Sequence, residues 1–222
     1  MKRIPQHELL DEDAGTPAEI AASLRDLQHI NRWFGGVTST EYLLRNALAK
    51  ASISRAEVLE VAAGTGFAIR QAAKRMHADG IEIHVTALDR QASHMQEQDG
   101  VDKVVGDALN LPFSDNSFDF VFCNLFLHHL SPADVVRFID GALRVCRHAV
   151  LINDLRRGAT HLGLVYLGLP FFRSRITWHD APASVRQAYT PAELDGMITN
   201  TRASDWAITN RFLFRMAATI WK

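Results

Sequence analysis

Glu60, Asp89 and Asp107 each follow a short apolar run: Val58-Leu59, Val85-Thr86-Ala87-Leu88 and Val104-Val105-Gly106. A carboxylate accepts hydrogen bonds from hydroxyl and amino groups and neutralises a cation. Between the first two acids lies a turn of small residues, Ala62-Ala63-Gly64-Thr65-Gly66, which lets backbone approach a ligand closely. The run from Phe67 to Lys74 reads as helix, so the turn would present a nucleotide-like ligand to a helix N-terminus. Asp89 comes about 20 residues beyond the turn, the spacing at which an acid reaches ribose hydroxyls. If the three runs are adjacent parallel strands, their carboxyl ends open on one crevice and the acids converge there.

Two ligands suit this pattern, a nicotinamide dinucleotide and S-adenosylmethionine. The dinucleotide fingerprint needs a third glycine where this chain has Ile69, and a pyrophosphate disfavours clustered carboxylates. A sulfonium cofactor with a free amino group tolerates Glu60 well.

His128 and His129 follow the fourth apolar run. Imidazole is the side chain best suited to take a proton from a phenol or enol near neutral pH, which makes His129, and after it His128, candidate general bases. The alternative is that they cap the helix beginning at Ser131. The ten histidines show no metal-ligand spacing, so no metal site is expected. Cys123 and Cys146 lie inside apolar segments and read as reduced core residues.

The elements that must position these groups can be read from periodicity. Thr16-Pro17-Ala18-Glu19, Ser131-Pro132-Ala133-Asp134 and Thr190-Pro191-Ala192-Glu193 share one helix-start grammar: a hydroxyl N-cap, proline at the first helical position, then an acid. The first helix is expected to end at Gly35-Gly36 and a second to span residues 40–50. Strands are expected at 58–61, 82–88, 103–105, 118–124 and 149–154, and helices at 67–78, 92–98 and 133–145. Two further strand-like runs, 206–212 and 215–221, read as a hairpin at the sheet edge. The fold class is therefore α/β: a Rossmann-like, seven-stranded, mostly parallel sheet with helices on both faces and an antiparallel strand at one edge.

The run from Val58 to Ile152 resembles a class I S-adenosylmethionine-dependent methyltransferase, closest to the small-molecule group that includes the ubiquinone and menaquinone methyltransferases. The matching pieces are Glu60-Val-Ala-Ala-Gly-Thr-Gly66, Leu88-Asp89, Gly106-Asp-Ala-Leu-Asn-Leu-Pro-Phe113, Asn116-Ser-Phe-Asp-Phe-Val121 and Asn124-Leu-Phe-Leu-His-His-Leu130. The resemblance implies S-adenosylmethionine as cofactor and S-adenosylhomocysteine as product. It places Glu60, Ala62, Gly64 and Gly66 at the methionine moiety, Asp89 with Arg90 at the ribose, Asp107 and Ala108 at the adenine, and Asn124 near the methionine end. Ala62 stands where such proteins usually have glycine, which is tolerable if its φ is negative. The segment Arg144-Val-Cys-Arg-His148 lacks the usual proline and two glycines.

The resemblance also implies that Trp33 and Phe34 belong to an N-terminal lid, where an aromatic face can contact a sulfonium or a flat acceptor. The apolar insert 156–189 lies where such proteins build the acceptor pocket, with His161 and Tyr166 as acceptor contacts and Arg156, Arg157, Arg173 and Arg175 available for an acidic substituent. The insert reads first as a pocket wall, second as buried core and third as a peripheral membrane contact; its apolar stretch is well short of the roughly 20 residues that span a bilayer. The expected layout is one methyltransferase domain over 1–222: a helical lid (1–50), a cofactor-binding core (51–155), the insert (156–189) and a C-terminal helix with hairpin (190–222).

The net charge of -1 offers no basic footprint for a nucleic acid. No Asn/Asp-Pro-Pro-aromatic run follows the fourth strand, which disfavours nucleobase amino groups. The N-terminus lacks the apolar core of a signal peptide, so a cytoplasmic monomer or homodimer is expected. The expected function is methyl transfer to an oxygen or carbon of a small aromatic, quinone- or polyketide-like acceptor. The alternatives are an NAD-binding dehydrogenase and a non-catalytic interaction protein.

Overall fold

A computed structural model of the protein describes residues 1–95 and 101–222. Helices α1 (Pro17–Trp33) and α2 (Gly36–Ala51) precede β1 (Arg55–Val61), α3 (Phe67–His77), β2 (Glu82–Asp89), β3 (Asp102–Val105), β4 (Phe118–Asn124), α4 (Pro132–Val145) and β5 (Cys146–Leu155). Helices α5 (Ala159–Gly168) and α6 (Arg175–Gln187) form the insert, followed by α7 (Pro191–Ile198), β6 (Asp205–Arg211) and β7 (Arg215–Trp221). The seven strands run in the order β3-β2-β1-β4-β5-β7-β6, parallel except that β7 pairs antiparallel with both β5 and β6. This is the expected Rossmann-like fold class.

The sequence dictates most of these boundaries. Thr16 and Thr190 each accept the backbone N–H of a glutamate three residues on, and Glu19 and Glu193 reach back to the cap N–H, completing two capping boxes. Ser131 caps α4 through the Asp134 N–H at 3.2 Å. Two boundaries differ from expectation. The glycines after α1 do not merely end it: Gly36 opens α2, whose start lies before residue 40. Gly35 has φ +80, and a Cβ there would fall 1.6 Å from the Phe212 carbonyl oxygen, so only glycine fits between α1 and the hairpin. The helix expected at 92–98 is a single 3-10 turn over Ala92–His94 that ends at Met95, and residues 96–98 lie outside the described residues. The segment without the usual proline and glycines is simply the direct passage of α4 into β5, held by the Arg144 guanidinium on the Leu111 and Phe113 carbonyls at 3.0 and 2.8 Å.

The central strands bury both faces, as a parallel sheet under two helical layers requires. One core packs α4 and α7 onto Leu59, Val61, Val121 and Ile152; the other packs α2 and α3 onto Val58, Phe120, Phe122 and Leu151. Ile69, at the third fingerprint position, is fully buried in the second core. Register aligns the carboxyl ends: Val61 sits opposite Leu88, Asp89 opposite Val105, and Asn124 opposite Asn153.

Candidate active site

Above those strand ends lies one cavity of about 610 Å³, lined by Glu60, Asp89 and Asp107 together with His128, His129 and the insert. The three acids expected to converge do share this space. Each is held by different local chemistry.

Glu60, the penultimate residue of β1, is 2% exposed. Among the described residues its Oε2 has no hydrogen-bond partner. Burial pushes its carboxyl up, Arg70 on α3 opposes and Asp89 on β2 adds, leaving a pKa of about 8. Asp89 uses its carboxylate to hold the small-residue turn: Oδ2 accepts the Gly64 N–H at 2.7 Å and Oδ1 the Gln91 N–H at 2.8 Å. The turn is also tied to β2 by the Ala63 N–H on the Leu88 carbonyl at 3.1 Å. Gly66, at φ +62, caps α3, and a Cβ there would lie 3.2 Å from Glu60 Oε2. Asp107 is exposed and builds a local turn, accepting the Leu109 N–H and the Asn110 amide, each at 2.9 Å. Ala108, Gly64, Ala62 and Arg90 also line the cavity.

Ala62 corrects one expectation. Its φ is +53, not negative, so the methyl group there carries backbone strain of about 1–2 kcal/mol that glycine would avoid.

Asn124 lines the cavity, but its amide belongs to a buried network. Its Nδ2 donates to Asn31 Oδ1 at 3.1 Å, and its Oδ1 accepts from Arg215 Nη1 at 3.2 Å. Arg215, 1% exposed, also donates to Asn31, to Asn153 and to the Phe34 carbonyl. Burial pushes its pKa down to about 10, leaving it charged at neutral pH. Neither Asn31 nor Arg215 stood out in the sequence, because a lone Asn in a helix and a lone Arg opening a strand carry no spacing signal.

The histidines sit in a cluster of acids. His128 Nδ1 lies 2.7 Å from Asp154 Oδ1, and its backbone N–H donates to Asp154 Oδ2 at 3.2 Å. His129 Nδ1 lies 2.8 Å from Asp11. Burial lowers the His129 pKa, but the Asp11 hydrogen bond and the charges of Glu8, Asp11 and Asp154 outweigh it and hold it at about 9. Paired in this way the ring is a cation at neutral pH and does not match the base near pKa 7 that the sequence suggested.

Glu8 and Asp11 come from an N-terminal segment that the sequence reading did not place at the site. It is strapped across the cavity: Arg3 Nη2 donates to the His128 and Leu130 carbonyls at 3.0 and 2.9 Å, Leu9 and Leu10 N–H groups to Asp180, and His94 Nε2 lies 2.7 Å from Asp13. The acid run Glu8, Asp11, Glu12 and Asp13 was the available signal.

Other expected contacts divide. Phe34 and His161 line the cavity; His161 stacks on Phe214 at 5.0 Å, and its Nδ1 lies 3.0 Å from the Arg156 carbonyl. Trp33 does not line it, being the last residue of α1 and 69% exposed. Tyr166 turns outward, its hydroxyl accepting from Arg186. None of Arg156, Arg157, Arg173 and Arg175 lines the cavity. Arg157 instead ties Glu193 and the Met1 and Ala188 carbonyls together, and Arg175 pairs with Glu19. Arg157 and Arg175 are thus taken up by structural acceptors rather than by the pocket. No helix among the described residues is long and apolar enough to cross a membrane.

With this geometry in hand, residues 58–149 match the model of a family described as a methyltransferase domain. That match runs from β1 into the start of β5, less than half of the chain. Over 77 residues, 35% of its length, the chain is 35% identical to the biotin biosynthesis bifunctional protein BioHC of Cellvibrio japonicus (strain Ueda107), of whose length that match spans 15%. Its fold is similar to the plantazolicin methyltransferase BpumL in complex with S-adenosylhomocysteine (TM-score 0.69, 11% identity, 96% of this chain and 93% of that one). It is also similar to a methyltransferase from Aquifex aeolicus (TM-score 0.59, 15% identity, 93% of this chain and 98% of that one). The human N-acetylserotonin methyltransferase matches at TM-score 0.61 and 12% identity, over 90% of this chain and 54% of that one.

Proposed function

We propose that the chain transfers a methyl group from S-adenosylmethionine to an oxygen or carbon of a small, flat, largely apolar acceptor. The observation that carries this reading is the continuity of the cavity. One end holds the strand-end acids, and the other is walled by Leu164, Val165, Phe172 and Phe214 of the insert and hairpin. Its volume of about 610 Å³ lies within the roughly 300–1,000 Å³ of small-molecule pockets.

The residues fit the cofactor. Glu60 Oε2, buried and without a partner among the described residues, is an acceptor waiting for an ammonium group. Asp89 is fixed by two backbone donors and keeps lone pairs for a diol. When bound, S-adenosylmethionine supplies a methyl group on a sulfonium. Glu60 then holds the amino-acid end, Asp89 the ribose end, and the insert excludes water from an acceptor lying against it. Positioning and exclusion of water supply most of the acceleration such a transfer needs. Incubation with isotopically labelled S-adenosylmethionine and a panel of phenols and enols should give labelled product from at least one apolar aromatic acceptor. Label transfer only to peptides or nucleic acid would overturn the reading.

Glu60 gives this site a pH signature. The unfolded side chain ionises near 4.5, the folded one only near 8, so stability falls as pH rises across that window, by roughly 3–5 kcal/mol in all. An ammonium beside Glu60 favours the ionised form. Affinity for S-adenosylhomocysteine should therefore rise between about pH 6 and pH 7.5, by at most about tenfold per unit. Arg70, Asp89 and Cys123 share the field of Glu60, and Lys103 lines the adjoining recess. None of them supplies this rise if Glu60→Gln flattens it. Calorimetry at four pH values on both proteins checks this, and an equal slope in the variant would reject the assignment.

A further inference from the structure

We propose that Glu8, His128 and His129 form a binding site for a first-row divalent transition ion such as zinc, facing the acceptor half of the cavity.

One ligand atom from each of these three residues lies within 4.8 Å of the others. His128 Nε2 is 3.6 Å from Glu8 Oε1. Zinc binds imidazole nitrogen and carboxylate oxygen at about 2.0–2.2 Å, so ligands on one ion stand about 3–4 Å apart. Side-chain adjustments of less than about an ångström close the difference.

The surroundings resemble those of ligating histidines. Each imidazole already has a carboxylate on Nδ1, Asp154 for His128 and Asp11 for His129, which leaves Nε2 of each ring for a ligand, the His129 ring releasing its Nε2 proton as the ion binds. Such outer carboxylates fix the ring orientation and raise ligand basicity. Glu8 is fixed in turn, its Oε1 accepting from Ser184 Oγ and Gln187 Nε2, each at 2.6 Å. His128 is 2% exposed and Glu8 8%. Three carboxylates, Glu8, Asp11 and Asp154, thus crowd two imidazoles in a poorly solvated place where a dication offsets their charge. Arg3 donates to the His128 carbonyl oxygen and not to these carboxylates. Arg90 lines the cavity and its charge acts on Asp11, so it weighs against the ion.

Two nitrogens and one carboxylate select zinc, manganese, iron, cobalt or nickel over the oxygen-seeking magnesium and calcium. Three protein ligands leave at least one position open. All three residues line the cavity, so that position suits a lone pair of the acceptor, such as a hydroxyl or enol oxygen. Zinc binding can be read without any methyl transfer, so this site and the proposed reaction stand or fall separately.

The test uses the full chain, freed of metal by a chelator and dialysed. Calorimetric titration with zinc should show one saturable site with a Kd in the micromolar range or below, and cobalt should give visible absorption bands. Glu8→Gln and His129→Ala should each weaken zinc binding at least tenfold, and Asp11→Asn about 10–100-fold. His84→Ala, at an exposed histidine beside Arg55, should leave it unchanged. If the variants unfold, X-ray absorption at the zinc edge of the unmodified protein still decides, with two imidazole ligands expected. No saturable site, unchanged affinity in folded variants, or an absorption spectrum without two imidazoles would overturn the proposal.

Discussion

Asp89→Ala is expected to cut affinity for S-adenosylhomocysteine by at least about 100-fold. The carboxylate is 9% exposed, and two backbone N–H groups already hold it in place. A diol approaching it meets an acceptor that needs no reorganisation. Hydrogen bonds to a charged group contribute about 1.5–3 kcal/mol each, and about 1.4 kcal/mol is a factor of ten, so two such contacts amount to a hundredfold or more. The substitution also releases the Gly64 N–H from its acceptor and loosens the turn that would carry the methionine moiety. A moderate loss of stability, about 1–3 kcal/mol, should accompany the loss of binding. Asp89→Asn separates the two effects: one amide oxygen can still take the Gly64 N–H, while the charge is gone. Its stability should stay near that of the unmodified protein and its affinity should still fall about tenfold or more. Calorimetry with thermal melts on both variants checks this, and unchanged affinity in Asp89→Ala would remove Asp89 from the site.

That the three acids would meet was legible because two periodicities met at each of them. An apolar run of strand length ended, and a turn or helix signal began, at Glu60, Asp89 and Asp107. Strand ends in a parallel sheet all open on one side, so a one-dimensional pattern carried three-dimensional information. The capping boxes at Thr16 and Thr190 were legible for the same reason, since cap and reciprocal acid are three residues apart. Contacts between segments distant in sequence were not. Glu8 meets His128 and Asp11 meets His129 only because a strap without periodicity is tied down by Arg3 and Asp180. A search for helical metal-ligand spacing passes over adjacent histidines whose third partner lies far away in the chain. Trp33 was misplaced for a simpler reason. Where α1 stops sets which of two neighbouring aromatics points inward, and Phe34 rather than Trp33 lines the cavity.

Arg215 is the clearest case of a decisive residue with no sequence signal, and Arg215→Met should cost about 3–5 kcal/mol of stability. Methionine matches the length of the side chain and its apolar packing, so the loss comes from the polar partners left behind. Those partners are the Phe34 carbonyl at 2.9 Å, Asn31 Oδ1 at 3.1 Å, Asn124 Oδ1 at 3.2 Å and Asn153 Oδ1 at 3.4 Å. Asp154 would also lose a favourable charge. Asn153 keeps its own donor contacts to the Gly36 carbonyl and Thr40, so the disturbance should centre on Asn31 and Asn124, where α1 meets the end of β4. Arg215→Lys should recover only part of the loss, because a single ammonium cannot reproduce a planar fork reaching four acceptors. The site should feel the change as well: Phe34 and Asn124 line the cavity, and both are held by this one guanidinium. Urea unfolding should show the midpoint falling in the order unmodified, Lys, Met. Affinity for S-adenosylhomocysteine should decline in the same order, since Arg215 lines the cavity and holds Asn124 and the Phe34 carbonyl. A Met variant within about 1 kcal/mol of the unmodified protein would mean that the asparagines satisfy one another without the arginine. A destabilised variant with undiminished affinity would mean that the network supports the fold and not the pocket.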